Sequence, residues 1–211
     1  MAMIIQCDFD GTITEEDISF MLLDGFAQGD WREWFEQYRR HKITVGEFNT
    51  RAFGMVKATK AELLGIARER VRLRAGLHEL VSYCRSRGFR FVIVSNGLDF
   101  YIDAILKDAD LAGIEVHAAK TRFYHGRLKV QYIGPDNTPL LSDFKEAYTK
   151  AFLKQGYRVV YIGNGPSDIA PALHAYHIFA TDGLLDGCRE INLKCTPFND
   201  LNDIVRGLES L

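Results

Sequence analysis

The first apolar run, Met3-Ile4-Ile5-Gln6-Cys7, is short and leads into the charged, glycine-containing stretch 8–12. That pattern predicts a buried parallel strand followed by a loop. Residues 16–74 show no strand-like alternation, and amphipathic helices are expected near 16–28, 31–40, 45–54 and 59–71. Thr44 with Glu47, and Thr59 with Glu62, have capping-box spacing. Over 77–87, Leu77, Leu80, Val81 and Cys84 recur at helical spacing, with Gly88 placed to cap the end. A strand at 90–95, a helix at 98–107 and a strand at 114–118 come next. A hairpin over 120–133 turns at His125-Gly126. Helices near 144–155, 167–175, 184–191 and 199–210 then alternate with strands at 158–162 and 177–180.

Strand–helix alternation from residue 77 onward implies a parallel sheet with helices on both faces. The expected class is α/β: a Rossmann-like core formed by 1–15 and 76–211, an all-helical insert over 16–75 after the first strand, and a hairpin flap at 120–133. Composition narrows the class further. The 211 residues are 47 % hydrophobic and 26 % charged, which excludes disordered, collagen-like and disulfide-miniprotein chains. The apolar runs are too short to cross a membrane as a helix. The first residues show no basic leader or signal-peptide segment, so a cytoplasmic location is expected. Cys7, Cys84, Cys188 and Cys195 form no CxxC pair, which predicts reduced thiols and no zinc. His78, His117, His125, His174 and His177 show no metal-ligand spacing.

A net charge of -2 gives no case for nucleic acid. Its distribution is uneven. Residues 1–30 hold seven acids and no Lys or Arg, whereas 31–74 hold eleven bases and five acids. The basic stretch reads either as solvated helix faces or as a basic lid over an anionic ligand.

Candidate chemistry gathers at the ends of the expected strands. Asp8 and Asp10 follow the first strand with one residue between them, so both carboxylates can face one way while Phe9 packs. Two such carboxylates at the carboxyl end of a strand in an open α/β sheet need a cation, and oxygen-only ligands suit Mg²⁺. Ser95 ends a strand, and Asn96-Gly97 is expected to open a helix whose N–H groups make an anion cradle. The alternative is an ordinary N-cap. Lys145 stands just inside a helix start, where cations are disfavoured, so a role beyond surface charge is expected. Gly163-Asn164-Gly165-Pro166-Ser167-Asp168 gives a tight turn with oxygen side chains at Asn164 and Asp168.

In this order and placement, 8–12, Ser95, Lys145 and 164–168 resemble the four motifs of the haloacid dehalogenase superfamily. The helical insert resembles the cap of its phosphoserine phosphatase-like group. Residues 8–14, 51–54, 95–100 and 188–193 are similar to the methionine-salvage phosphatases within that group, which act on 2-hydroxy-3-keto-5-methylthiopentenyl-1-phosphate. The resemblance implies hydrolysis of a small phosphorylated metabolite with Mg²⁺ as cofactor. Asp8 would be the nucleophile and Asp10 the acid and base. Ser95, Asn96, Thr12 and Lys145 would hold the phosphoryl group. Asp8, Asp10, Asn164 and Asp168 would hold the metal. Asp17 and Arg51 would contact substrate from the cap, with Trp31, Trp34, Phe35 and Phe53 either lining a pocket or packing the helices. The family pattern has Asp where this chain has Asn164, which predicts weaker Mg²⁺ binding, with Asp168 as compensation. Phosphoserine or another small phosphate ester, phosphoryl transfer to an alcohol, and a non-catalytic phosphate-binding role stay open.

Overall fold

A computed structural model of the chain describes residues 2–211. Strand β1 spans Met3–Cys7, as its apolar run predicts. Helices α1 (Ile18–Phe26), α2 (Arg32–Arg39), α3 (Val45–Gly54) and α4 (Lys60–Arg70) follow. Both capping boxes form: Thr44 and Thr59 accept from the N–H of Glu47 and Glu62, whose side chains return the bond. Then come α5 (Leu77–Ser86), β2 (Arg90–Leu98), α6 (Asp99–Asp108), β3 (Glu115–Tyr124), β4 (Arg127–Ile133) and the two-residue β5 (Pro139–Leu140). Helix α7 (Phe144–Lys154), β6 (Arg158–Gly163), the short α8 (Ile169–Ala172), β7 (His177–Ala180), α9 (Asp182–Glu190), β8 (Thr196–Pro197) and α10 (Leu201–Glu209) complete the order.

The strands form one sheet in the order β5-β4-β3-β2-β1-β6-β7-β8. β1 lies between β2 and β6 and is parallel to both, with Cys7 opposite Ile93 on one side and Ile162 on the other. The chain therefore leaves β1 in both directions across the sheet, which makes its carboxyl end the topological switch point where such folds bind ligands. The expected hairpin forms between β3 and β4, turning at His125-Gly126, and extends the sheet antiparallel.

One expectation is corrected here. Asn96-Gly97 does not open a helix, because β2 passes through an irregularity after Val94 and resumes pairing at Leu98 opposite Ala119. Helix α6 starts only at Asp99. The pairing with β3 overrides the local turn preference of Asn-Gly.

Four helices separate β1 from α5, and the chain leaves and re-enters the sheet side by side through the Thr14–Leu73 bridge. Helix α3 rests on the rest of the molecule. Thr44 Oγ1 donates to the Leu141 carbonyl at 2.6 Å. A Cβ on Gly46 would stand 2.5 Å from that same oxygen, so only glycine permits the approach. Among the described residues no helix is long and apolar enough to cross a membrane.

Candidate active site

A cavity of about 900 Å³ opens above the carboxyl ends of β1, β2 and β6, under α1–α3. Asp8, Asp10, Asp17, Asn49, Ser95, Asn96, Lys145 and Asn164 all line it. The volume is that of a small-molecule site.

Among the described residues Lys145 is the only cation sealed among these acids, at 3 % exposure. Its Nζ stands 2.8 Å from Asp8 Oδ2 and 2.6 Å from Asp168 Oδ1. The start of α7 is positioned by a buried polar residue of the central strand. Gln6 Nε2 donates to the Lys145 carbonyl at 3.1 Å, and Gln6 Oε1 accepts from Thr149 at 2.8 Å. Burial alone would lower the Lys145 ammonium, but Asp168 and Asp8 outweigh it and push it up.

The carboxylates respond in the opposite sense. Burial raises Asp8 to about 7, with Lys145 pulling it down and Asp168 pushing it up. Asp10 is raised well above the ordinary range by burial and by Asp17, despite its hydrogen bond from Tyr101. The Ile18 N–H fixes the other Asp10 oxygen at 3.1 Å. Asp17 caps α1 through Phe20 N and is raised to about 6 by burial. Burial thus holds three acids above the ordinary carboxylate range, in a site whose one ammonium they outnumber.

That deficit fits a divalent cation with oxygen ligands. Among the described residues no set of three or more His, Cys, Asp or Glu side chains converges as a metal site. A cation here must therefore draw on amide and main-chain oxygens as well as carboxylate. Asn164 offers the amide oxygen. Its Oδ1 accepts from Thr12 Oγ1 at 3.0 Å, and its side chain lies so close to Gly11 that a Cβ there would meet Nδ2 at 2.1 Å.

Three expected site residues are engaged elsewhere in the structure. Asp168 is fully buried and its two oxygens already accept from Lys145 Nζ, Tyr161 OH, Asn164 N and Gly165 N. Those four donors use the lone-pair sites of a carboxylate, so in this structure Asp168 holds the turn and the lysine. Thr12 is fully buried and outside the cavity lining, where it orients Asn164. Arg51 is exposed on α3, its guanidinium 4.6 Å from the Trp34 ring, and does not line the cavity.

The remaining positions reach the site. Ser95 is 1 % exposed, and its Oγ accepts from Gly97 N at 3.0 Å. Its hydroxyl proton has no acceptor among the described residues and is left for a ligand. Asn96 lines the cavity. Phe35 also does so, joined by Phe20, Tyr38, Ile43 and Phe48, while Trp31 and Phe53 are packed inside. The two readings of the basic stretch divide by residue: Arg39 and Lys42 reach the cavity, whereas Arg68 pairs with Asp108 on the surface.

Tyr101, Tyr161, Gln6 and Asn49 were not legible as site residues. The tyrosines occupy apolar positions of α6 and β6, and their hydroxyl partners, Asp10 and Asp168, come from other motifs.

The chain resembles known proteins over its whole length. It is 28 % identical to a 2-hydroxy-3-keto-5-methylthiopentenyl-1-phosphate phosphatase of Brevibacillus brevis, covering 99 % of this chain and 96 % of the relative. It is 29 % identical to the protein of the same name from Geobacillus kaustophilus, covering 99 % and 96 %. The structure superposes on a phosphoserine phosphatase from T. onnurineus with a TM-score of 0.72 at 19 % identity, covering 100 % of this chain and 96 % of that one. The family model described as haloacid dehalogenase-like hydrolase matches residues 5–173. With that match over most of its length, and with the motifs gathered at one switch point, the chain belongs to the haloacid dehalogenase-like hydrolase family.

Proposed function

We propose that this chain hydrolyses a small phosphate monoester through a phosphorylated Asp8, and that its substrate is 2-hydroxy-3-keto-5-methylthiopentenyl-1-phosphate. The observation that carries the reaction is the pairing of Asp8 with Lys145 beside a separately held Asp10, all facing one cavity. Asp8 Oδ attacks phosphorus. The P–O bond to the leaving group breaks as Asp10, kept protonated by its surroundings, gives its proton to the leaving oxygen. Asp10, now a carboxylate, takes a proton from the water that attacks the same phosphorus. The P–O bond to Asp8 then breaks and inorganic phosphate leaves. Ser95 and Lys145 donate to the phosphoryl oxygens, and Asn96 lies beside them. The Tyr101 hydroxyl, linked to Ser19 at 2.9 Å, holds Asp10 in place throughout.

Asp8, the Asp10 main-chain carbonyl and the Asn164 amide oxygen are the groups that would hold Mg²⁺. When bound, the ion supplies the positive charge that the acids lack and balances the charge of the phosphoryl group. Asn164 makes this set one charge less negative than a family pattern with Asp.

The substrate assignment rests on the names of the full-length relatives and on the cavity wall. Phe20, Phe35, Tyr38 and Phe48 form an aromatic cluster with ring centroids 4.9–6.2 Å apart among the contacts involving Phe35. Such a wall suits a thioether, since sulfur packs well on aromatic rings. With Mg²⁺, kcat/KM for the methylthio ketone phosphate is expected to exceed that for phosphoserine by about 100-fold, measured by phosphate release. Equal or better turnover of phosphoserine would overturn the substrate assignment while leaving the reaction intact.

The raised acids set a pH dependence. Asp8 and Asp17 bind protons more tightly folded than unfolded. Each therefore stabilises the metal-free fold at low pH, and that contribution is lost as pH rises from near 4 through about 6 for Asp17 and about 7 for Asp8. Thermal melts should show Mg²⁺ raising Tm more at pH 8 than at pH 5. A Mg²⁺ effect that is larger at pH 5 contradicts this account.

A further inference from the structure

The cap helix α3 carries a buried asparagine whose orientation is fixed by chemistry. Asn49 is 5 % exposed. Its Nδ2 donates to the Asn96 main-chain oxygen at 3.1 Å and to the Tyr132 hydroxyl. The Tyr132 hydroxyl gives its own proton to the same Asn96 oxygen at 2.6 Å. A carbonyl oxygen only accepts, and Tyr132 has no second proton. Turning the Asn49 amide over would set its oxygen against two acceptors. Nδ2 therefore faces Asn96 and Tyr132, and Oδ1 faces the other way.

That oxygen has no donor among the described residues, and it is not one of the sealed, unpartnered atoms. Asn49 lines the cavity, and Oδ1, its side-chain polar atom left without a partner, is the group it offers there. A largely buried acceptor without a donor is costly, and a ligand that brings a donor removes the cost. The neighbourhood places that donor at one end of the ligand. Asn49 is anchored to Asn96, the residue after Ser95, and neighbouring Cα atoms are about 3.8 Å apart. The acceptor thus belongs to the same end of the cavity as Ser95. It is uncharged, which suits a hydroxyl better than an ammonium.

We infer that Asn49 is a specificity residue that selects phosphate monoesters bearing a hydroxyl near the phosphoryl group, an inference that rests on the phosphatase reading above. Such substrates lock α3 against β2 and β4 through the Asn49–Tyr132–Asn96 network. Esters lacking that hydroxyl leave Oδ1 unpaired when α3 sits over them.

The test compares propyl phosphate with 2-hydroxypropyl phosphate on the wild-type protein, Asn49→Leu, Asn49→Ala and Tyr132→Phe, all with Mg²⁺. The wild type is expected to favour the hydroxylated ester by about tenfold in kcat/KM. Either Asn49 variant should bring that ratio close to one. Tyr132→Phe, which loosens the same network without touching Oδ1, should slow both esters and keep the ratio. Equal turnover of the two esters by wild type overturns the proposal whatever the variants do. So does an Asn49 variant that behaves like Tyr132→Phe, since Asn49 would then only brace α3. Absence of turnover of both esters by a wild type that still hydrolyses the methylthio ketone phosphate also overturns the proposal, whereas failure on that substrate as well removes the phosphatase reading.

Discussion

Asp8→Asn is expected to lose phosphate release by roughly 10⁴–10⁶-fold while folding as well as wild type. An amide is no nucleophile toward phosphorus, and the two buried carboxylates beside Asp8 are engaged by other partners. Asp10 is held by Ile18 N and Tyr101, and Asp168 is fully occupied by four donors. The same substitution removes a strained charge. Burial has already raised the Asp8 carboxyl to about 7, so at pH 8 the metal-free protein must hold it ionised at a cost. In EDTA at pH 8 the variant should melt at or above wild type, since Lys145 still pairs with Asp168. Added Mg²⁺ should then stabilise the variant less than wild type. Turnover above about one hundredth of wild type would mean that another group attacks phosphorus. A large loss of stability in EDTA would mean that the Asp8 charge supports the fold instead of opposing it.

Lys145→Met is expected to damage both activity and stability. In the proposed reaction the ammonium donates to the phosphoryl group, and loss of one such donor costs about 10²–10³-fold in kcat. It also separates two buried carboxylates, at 2.8 Å from Asp8 and 2.6 Å from Asp168. Leaving buried charge uncompensated costs about 3–5 kcal/mol. The sign of the pH dependence follows from Asp8. Lys145 pulls its carboxyl down, so without the lysine Asp8 keeps its proton to higher pH in the folded state. Stability is then present at low pH and lost as pH rises through the raised value. Urea titrations should show a larger loss at pH 8 than at pH 5.5. The same loss at both pH values, or a kcat within a few-fold of wild type, would remove Lys145 from the site chemistry.

The sequence was most legible where one residue pattern had one physical solution. The run Met3–Cys7 can only be a buried strand, and the two capping boxes are local devices that form as their spacing predicts. Asp8, Asp10, Ser95, Lys145 and Asn164 come together because strand ends in a parallel sheet share one edge. Legibility failed where a partner from elsewhere in the chain decided the outcome. Asn96-Gly97 has the chemistry of a turn, yet β3 keeps it extended. Asp168 has the chemistry of a metal ligand, but Lys145, Tyr161 and the turn at 164–165 use up its oxygens. Arg51 is a contact by resemblance and an exposed residue in the fold. Residues two apart on a helix do not share a face, so an α3 that turns Asn49 inward turns Arg51 away. Tyr101 and Tyr161 read as core because their rings are core, while their hydroxyls meet carboxylates far away in sequence. Gln6 was hidden in the same way inside an apolar strand, where α7 satisfies its amide.

The central claim is that Asp8 carries the phosphoryl group, and chemical trapping tests it most directly. The wild-type protein is sampled within its first turnovers with substrate and Mg²⁺, since Asp10 serves both formation and hydrolysis of the acyl phosphate and its replacement would slow both. Acid quenching followed by borohydride reduction converts a phosphorylated aspartate to homoserine, which peptide mass spectrometry locates. Homoserine at position 8 is the predicted result. Substrate turned over with position 8 recovered as unmodified aspartate, or with homoserine at another carboxylate, would contradict the account.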